Sequence, residues 1–308
     1  MDDVADIVCY NQDKVISDFS DRRETGRAGV YVRGKGGSPF GEQEGRGKDV
    51  LSYEFDGHRY KEASRLMKEW GRRQIAELSL TGRERILDLG CGDGVLSKQL
   101  ADLVPQGSVL GVDASVGMIR TAKELEAGNL TFQLLDINKM VFEEEFDLIF
   151  SNAALNWIFD HDRLLKSVYQ ALKPGGKARF NFAGQGNGAH YLAVITATMA
   201  EPAYRPYFEN FQWPWFLPSA DEYRQVVARQ GFREATVWGE ATDRRFIDTE
   251  ELIRWLDQPA LVPFIKHIPD DRKTVFRDTV VNRMIEGTRQ PDGSHRDSFQ
   301  RINLLARK

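Results

Sequence analysis

The residues best suited to do chemistry are three glycines and the acid Asp88 within one short stretch, Asp88-Leu-Gly-Cys-Gly-Asp-Gly94. The stretch ends a predicted buried strand at 85–89 and directly precedes a predicted helix at about 95–103. Glycines turn the chain sharply and let a ligand approach the backbone without interference from a Cβ atom. We therefore expect a binding turn at the carboxyl end of a strand, which is where doubly wound sheets bind nucleosides.

The spacing of the glycines disfavours a dinucleotide fingerprint. That fingerprint, G-x-G-x-x-G, needs its third glycine at position 95, where this chain has Val95. A nicotinamide-dependent dehydrogenase therefore remains only as an alternative.

A second acid, Asp113, closes the next predicted strand, 108–112, in the run Gly111-Val-Asp113. A carboxylate has two oxygens and can accept a hydrogen bond from each of the two hydroxyls of a ribose. This acid alone does not separate the possible nucleosides, because NAD-binding proteins use one as well.

The elements that must position these residues alternate between strands and helices. Strands are predicted at 85–89, 108–112, 130–135, 146–151 and 177–182, within 236–247, and at 299–306. Helices are predicted at about 60–78, 95–103, 116–126, 160–172, 219–230, 249–257 and 270–286. The alternation indicates βαβ units. We predict an α/β fold: a doubly wound, seven-stranded, mostly parallel sheet with its last strand antiparallel and a helical cap inserted after strand five.

Five motifs, in order across residues 85–182, resemble those of class I S-adenosylmethionine (SAM)-dependent methyltransferases, which have a Rossmann-like fold. They are the glycine turn, Gly111-Val-Asp113, Leu134-Leu-Asp-Ile137, Phe146-Asp-Leu-Ile-Phe-Ser-Asn152 and Leu172-Lys-Pro-Gly-Gly176. The resemblance implies SAM as the cofactor and S-adenosylhomocysteine as its product, with Asp113 on the ribose. It also implies that Asp136 accepts from the adenine amino group while Ile137 packs on the ring. The implied cofactor-binding residues are Asp88, Gly90, Cys91, Gly92, Asp113, Ala114, Met118, Asp136, Ile137 and Asn152.

The segment after the fourth strand, Ser151-Asn-Ala-Ala-Leu-Asn-Trp157, resembles a narrower group: the trans-aconitate and the biotin-pathway malonyl-carrier-protein methyltransferases. The segment lacks the Pro-Pro pair that is frequent in enzymes methylating nucleobase amino groups or protein glutamine. The resemblance implies a carboxylate oxygen as the methyl acceptor, with Asn152, Asn156 and Trp157 at the reaction centre. Asn156 stands where these relatives often have histidine.

A carboxylate acceptor needs no general base, because its ordinary pKa of about 4 leaves it ionised at pH 7. It does need cations to hold it, and the candidates are Arg205, Arg244, Arg245 and Arg301. His161 and His190 are the nearest histidines, and we interpret both as surface or helix residues. Further candidate contacts on the first predicted helix are Tyr60, Ser64 and Trp70.

We predict two regions. Residues 1–59 are expected to be a flexible, glycine-rich arm, and residues 60–308 the methyltransferase domain. Within that domain we expect the cap insertion at about 186–217 and a further helical insertion at about 248–286. The aromatic side chains of 186–217 are expected either to roof the substrate or to form a small accessory core.

The composition limits the classes of binding partner that we expect. The net charge of −4 over 308 residues provides no broad basic surface for nucleic acid. Two cysteines and no apolar leader at the N-terminus predict a cytoplasmic protein without a metal site or a membrane partner. We expect a monomer or homodimer that acts on a small molecule. Besides the dehydrogenase, two alternatives remain: an acceptor O, N or C centre of another metabolite, or a SAM-binding subunit without turnover.

Overall fold

The computed structural model describes residues 54–308, except for the side chains of residues 58 and 61. Most of the predicted arm, residues 1–53, lies outside the described residues. Within them, no helix is both long enough and apolar enough to span a bilayer.

Seven strands form one sheet. They are β1 (Arg85–Leu89), β2 (Ser108–Asp113), β3 (Leu130–Leu134), β4 (Phe146–Asn152), β5 (Leu172–Ala183), β6 (Glu234–Phe246) and β7 (His295–Arg307). Their order across the sheet is β3-β2-β1-β4-β5-β7-β6. The first five strands are parallel, and β7 runs antiparallel between β5 and β6. The predicted doubly wound, mostly parallel sheet is confirmed.

The helices follow the predicted alternation. They are α1 (Gly57–Ala63), α2 (Arg65–Ala76), α3 (Val95–Leu103), α4 (Val116–Ala122), α5 (His161–Ala171), α6 (Ala189–Ala200), α7 (Ala220–Ala228), α8 (Thr249–Trp255), α9 (Val262–Ile265) and α10 (Asp270–Thr288). The helix predicted at 60–78 is two helices that meet at Ser64. The first of them begins at Gly57, three residues before the domain boundary predicted at 60.

Alternation of buried residues along the strands places helices on both faces of the sheet. On one face, Leu87 and Ile149 pack with apolar residues of α5 and α7. On the other, Ile86, Leu148 and Phe150 pack with residues of α2, α3 and α4. The sheet therefore has a packed layer on each side, which leaves the carboxyl ends of its parallel strands to form a site.

A separate apolar cluster joins α6 to the helices that lie between β6 and β7. It contains Tyr191, Tyr204 and Phe208 from the segment after strand five, together with Leu252, Trp255, Phe264 and Phe276 from the later segment. The two predicted insertions therefore share one core. Most aromatic side chains of 186–217 pack there; Trp213, at 40% exposure, is the most exposed of them.

Polar side chains share the face of the sheet that α2 covers. Asn152 of β4 lies beside Asn181 of β5, and Asn181 lies opposite Asn303 of β7. Arg301 is two residues from Asn303 on the same strand, and Arg244 of β6 belongs to the same face through its pairing with Asp297. The amide and guanidinium groups of four strands are thus gathered under one helix.

Candidate functional site

The glycine turn after β1 has the backbone conformation that its sequence predicts. Gly90, Gly92 and Gly94 have φ values of 71°, 55° and 79°, in the region that L side chains rarely adopt. The N–H groups of Gly90 and Cys91 both donate to the carbonyl of Val112, at 2.8 and 3.0 Å. This pair of hydrogen bonds ties the turn to the end of β2.

Asp113 is bound to the same turn. Its Oδ2 accepts from Gly92 N at 3.0 Å and its Oδ1 from Ser115 N at 2.9 Å. Each oxygen retains a further lone pair for a ligand hydroxyl. Burial raises the pKa of Asp113, and the nearby carboxylate of Glu54 raises it further. The site is therefore rich in negative potential and favours hydrogen-bond donors and cations.

Asp88 is buried beneath the turn, with 2% of its surface exposed. The hydroxyl of Ser97 on α3 donates to its Oδ2 at 2.6 Å. Burial raises the pKa of Asp88 to about 7, an effect that the Ser97 hydrogen bond opposes and the charge of Asp113 reinforces. Asp88 thus stabilises the turn from its buried side.

A buried ion pair that the sequence analysis missed closes one side of the turn. Lys68 Nζ of α2 lies 2.6 Å from Asp93 Oδ2, and both side chains are almost wholly buried. The sequence signal was an acid between two glycines of the turn, which is an expensive position unless a cation pairs with it.

The segment before α1 lies against the first turn of α4. Glu54 Oε1 accepts from Gly117 N at 2.5 Å and from Ser115 Oγ at 3.2 Å, and its Oε2 accepts from Val116 N at 3.2 Å. The ring of Phe55 packs edge-on against Trp157, with 5.9 Å between centroids. Residues 54 and 55, predicted as part of the arm, therefore connect the cofactor side to the predicted reaction centre.

The remaining predicted cofactor residues on this side differ in burial and in role. Met118 and Ile137 are buried, with exposures of 4% and 8%, whereas Ala114 is exposed. Asp136 accepts from the backbone and side-chain N–H groups of Asn138, at 2.9 and 3.0 Å, and so caps a short 3₁₀ helix. Burial raises the pKa of the Cys91 thiol well above its ordinary value, which agrees with a filler and not a nucleophile.

Asn152, at the end of β4, forms hydrogen bonds to α2 with both the nitrogen and the oxygen of its side-chain amide. Its Nδ2 donates to the carbonyl of Met67 at 2.9 Å, and its Oδ1 accepts from Gln74 Nε2 at 2.9 Å. Gln74 was not predicted, and its buried Oε1 has no hydrogen-bond partner among the described residues. Asn152 thus sets the position of the helix above the site.

The chain turns sharply after Asn152. Ala153 has a φ of 59°, a strained value for a residue with a side chain, and its N–H donates to the carbonyl of Asn181 at 2.7 Å. The 3₁₀ helix Leu155–Trp157 follows. Asn156 is buried and its carbonyl accepts from Phe216 N, while Trp157 packs edge-on against Trp215 at 5.7 Å. These contacts connect the fourth motif to the aromatic segment after β5.

Arg244 of β6 is a buried cation surrounded by aromatic rings. It is 2% exposed, and its guanidinium carbon lies 4.5, 4.5 and 4.8 Å from the ring centroids of Phe246, Trp255 and Phe299. Its buried Nε and Nη1 have no hydrogen-bond partner among the described residues. Burial lowers the pKa of Arg244 to about 9, with Arg301 contributing a smaller repulsion.

Arg301 is the second buried cation of this region. It is 4% exposed, and its guanidinium carbon lies 4.6 Å from the ring centroid of Trp70. Its Nε and Nη2 both donate to Asn181 Oδ1, at 2.8 and 2.6 Å. Burial lowers the pKa of Arg301 to about 9. Two of the four predicted cations are thus brought together under α2.

The other two predicted cations lie on the surface. Arg205 is exposed, and Arg245 forms a half-exposed ion pair with Asp292 at 2.7 Å. The alternation of side chains along β6 explains the difference between Arg244 and Arg245, because neighbouring residues of a strand point to opposite faces.

His161 is not placed to act as a base. His161 is buried, and its Nε2 lies 3.0 Å from the carbonyl of Leu155, so Nε2 carries the proton and Nδ1 accepts from the Tyr223 hydroxyl at 3.1 Å. Burial lowers its pKa to about 4. The prediction that His161 is a surface or helix residue is met by its place as the first residue of α5, although its side chain is buried and not on the surface. His190 lies in the first turn of α6, beside Gly287 of α10.

Tyr60 of α1 lies between the acids and the arginines. Its ring is close to the glycine turn, since a Cβ on Gly92 would meet its Cε1 at 3.9 Å. Burial raises the pKa of its hydroxyl; Asp93 and Asp113 raise it further, and Arg244 and Arg301 lower it. Of the other two candidates on these helices, Ser64 is buried and Trp70 contacts Arg301.

The site therefore has an acidic half around the glycine turn and a cationic half under α2. SAM fits the acidic half, because its ribose hydroxyls and its ammonium are donors and its sulfonium is a cation, whereas Asp88 and Asp113 are acceptors. The cationic half suits an anion.

Comparison with known proteins indicates the family of this chain. Residues 80–189 match a family of methyltransferase domains. A trans-aconitate 2-methyltransferase of Deinococcus radiodurans is 32% identical over 200 residues, which cover 63% of this chain and 76% of that protein. An uncharacterised methyltransferase of Schizosaccharomyces pombe is 28% identical over 242 residues, or 76% of this chain and 90% of that protein.

A solved structure from Bacillus halodurans, described as a methyltransferase, has the same fold. It superposes with a TM-score of 0.50 at 15% identity and covers 77% of this chain and 98% of its own. At this identity the likeness shows the fold alone. Taken with the sequence relatives and the matching domain family, the motifs and their geometry show that this chain belongs to the class I SAM-dependent methyltransferases.

Proposed function

We propose that this enzyme transfers the methyl group of SAM to a carboxylate oxygen of a small-molecule acid. The observation that carries the proposal is Arg244, a buried guanidinium whose Nε and Nη1 have no hydrogen-bond partner among the described residues. A buried charge without a hydrogen-bonded counterion is costly, so a site that keeps one is built for an anionic ligand. Arg301 adds a second cation beside it.

The cofactor residues of this proposal are those on the acidic half. Asp113 would accept from the ribose, and the backbone of Gly90 and Gly92 would approach the methionine part. Asp88 would keep the turn in shape from below. Asp136 and Ile137, which follow β3, would border the adenine.

The acceptor residues are those beyond the turn. Trp157 and Asn156 would border the reaction centre, and Arg244 and Arg301 would hold the acid. The trans-aconitate methyltransferases among the relatives support this acceptor class, since their name describes methylation of an acid.

Methylation of a carboxylate requires no proton transfer by the protein. When bound, SAM would supply a methyl group to a carboxylate oxygen: an O–C bond forms, the C–S bond breaks, and its electron pair leaves with the sulfur of S-adenosylhomocysteine, without a proton transfer. The chain's residues then have to align the acid and exclude water. His161 is engaged on both ring nitrogens, so an acceptor that needs deprotonation would find no base there.

A labelled-methyl assay tests the proposal. The purified enzyme is incubated with SAM carrying a labelled methyl group and with separate panels of carboxylic acids, phenols and amines. We expect label only in products of the acid panel, and we expect mild base to release it as volatile methanol, because methyl esters hydrolyse readily. Base-stable product, or transfer only to phenols or amines, would overturn the carboxylate assignment while leaving the enzyme a methyltransferase.

A further inference from the structure

Arg301 is held in place by an uncharged residue. The Oδ1 of Asn181 accepts from both Nε and Nη2 of Arg301, at 2.8 and 2.6 Å. The Asn181 amide is itself fixed, because its Nδ2 donates to Asn303 Oδ1 at 2.8 Å. Two N–H groups of the guanidinium thus converge on one amide oxygen, at a place where a buried arginine is often paired with a carboxylate. Here the acceptor contributes no charge.

The acids nearest the two arginines are engaged elsewhere. Glu240 lies opposite Arg301 across the strands, but it is exposed and its Oε2 accepts from Asn303 Nδ2 at 3.3 Å. Asp297, opposite Arg244, accepts from the N–H groups of His190 and Tyr191 at the start of α6. Within the described residues, neither guanidinium forms an ion pair with a carboxylate. The buried carboxylate of Glu251, which accepts from Arg65, and that of Asp297 act on Arg244 only through space, as Glu240 does on Arg301. Neither guanidinium therefore has a directly bound counterion in the part of the chain that the structure describes.

Asn181 also connects the cationic half to the strained turn after β4. Its backbone carbonyl accepts from the N–H of Ala153 at 2.7 Å. The next residue, Ala154, packs directly above Gly90 of the cofactor turn. One residue of β5 thus fixes the direction of Arg301 and also the loop that lies over the cofactor turn.

We propose that Asn181 is a positioning residue for the acceptor: it aims Arg301 at the anionic group of the substrate and, because it is neutral, leaves the charge of the guanidinium for that group. This inference rests on the proposed carboxylate acceptor. An aspartate at the same position would keep both hydrogen bonds to Arg301. It would also neutralise the cation inside the protein, so that a bound acid would gain less from it.

The substitution Asn181→Asp tests this, because it replaces the amide NH₂ with an oxygen of similar size and adds a charge; it also removes the hydrogen bond that Nδ2 donates to Asn303 Oδ1. Steady-state kinetics use an acid that the wild-type enzyme esterifies in the panel above, and calorimetry measures S-adenosylhomocysteine binding. We expect the KM for the acid to rise at least about tenfold, with S-adenosylhomocysteine affinity within about twofold of wild type. A merely structural role for Asn181 would leave the KM for the acid unchanged.

Asn303→Asp is the matched control. It places the same charge one hydrogen bond further away, facing Arg179, which already forms an ion pair with Glu77 at 2.9 Å. We expect its KM for the acid to stay within about threefold of wild type. An equal rise in both variants would overturn the proposal, since it would show a general effect of added negative charge.

If Asn181→Asp folds poorly, the variant Arg301→Gln provides a second test of the proposal. The proposal expects Arg301→Gln to raise the KM for the acid without loss of S-adenosylhomocysteine affinity, and Asn181→Asp to add nothing in that background. A KM unchanged in Arg301→Gln would overturn the inference. The two proposals fail separately: a wild-type enzyme that esterifies no acid refutes the carboxylate acceptor, whereas normal variant kinetics refute only the role of Asn181.

Discussion

The methyl group of Ala154 lies where a side chain on Gly90 would have to be. The turn that leaves β1 and the strained loop that leaves β4 are therefore in direct contact across the site. Gly90 also has a φ of 71°, so both the space and the backbone at this position require glycine.

The first prediction follows from this contact. Gly90→Ala should lower the free energy of unfolding by about 2–4 kcal/mol, because it adds backbone strain and a steric overlap. It should also weaken S-adenosylhomocysteine binding. Urea unfolding and calorimetry measure the two effects. Gly128→Ala is the control, since a Cβ there meets nothing within 4 Å; equal unfolding curves for the two variants would contradict the prediction.

The second prediction concerns Asp113. Asp113→Asn should reduce S-adenosylhomocysteine affinity at least about tenfold, because the amide nitrogen cannot accept from a ribose hydroxyl or from Gly92 N. Calorimetry provides the measurement. Asp147→Asn is a suitable control, as Asp147 also accepts a backbone N–H, that of Arg85 at 2.8 Å, but at the start of β4 and away from the glycine turn. Unaltered affinity in Asp113→Asn would refute the assignment of the ribose acid.

The third prediction is a pH dependence of stability. Burial raises the pKa of Asp88 to about 7, whereas in the unfolded chain it is close to its ordinary 3.8. Between these values the folded state retains a proton that the unfolded state has lost, so this group makes the protein less stable as pH rises from about 4 to 7. In Asp88→Asn this decrease of stability with rising pH is absent, and Ser97 can still donate to the amide oxygen.

Urea unfolding of the ligand-free protein at pH 5, 6, 7 and 8 checks this prediction. The stability of Asp88→Asn relative to wild type should increase across that series and level off above the folded pKa. A constant difference at all four pH values would show that Asp88 titrates normally in the folded protein.

The fourth prediction separates the two neighbouring arginines of β6. Arg244→Met should raise the KM for the acid at least about tenfold, because the anion loses a buried cation. The unfolding free energy without the acid should change little, since removal of a poorly compensated buried charge offsets the lost ring contacts. Arg245→Met, on the exposed side of the strand, should leave KM unchanged. Steady-state kinetics with an acid from the panel compare them, and similar KM values for both variants would contradict the role of Arg244.

Much of the cofactor side could be predicted from sequence because it depends on local order. The glycine turn, Asp113 and Asp136 each end a strand, and strand ends of a parallel sheet meet at one edge. The acceptor side depends on long-range pairing. Arg244 and Arg245 look alike in sequence, and only the register of β6 against β7 decides which one is buried.

Asn181 is a residue whose polar partner the sequence implies but does not identify. An amide between two phenylalanines in a buried strand indicates a polar partner, but not which one. Its partners, Arg301 and Asn303, are more than 100 residues away along the chain. Glu54 was missed for a different reason: it belongs to a polar segment whose composition predicts little packing, yet it binds the N–H groups at the start of α4.

The position of β7 between β5 and β6 has a consequence for the order in which the molecule is assembled. Because β6 pairs only with β7 among the described strands, it can join the sheet only with or after a strand that begins 49 residues beyond its own end. The five parallel strands and their nucleoside turn have no such requirement. Mutations that slow docking of β7 should therefore produce molecules that recognise the nucleoside before they can recognise the acid.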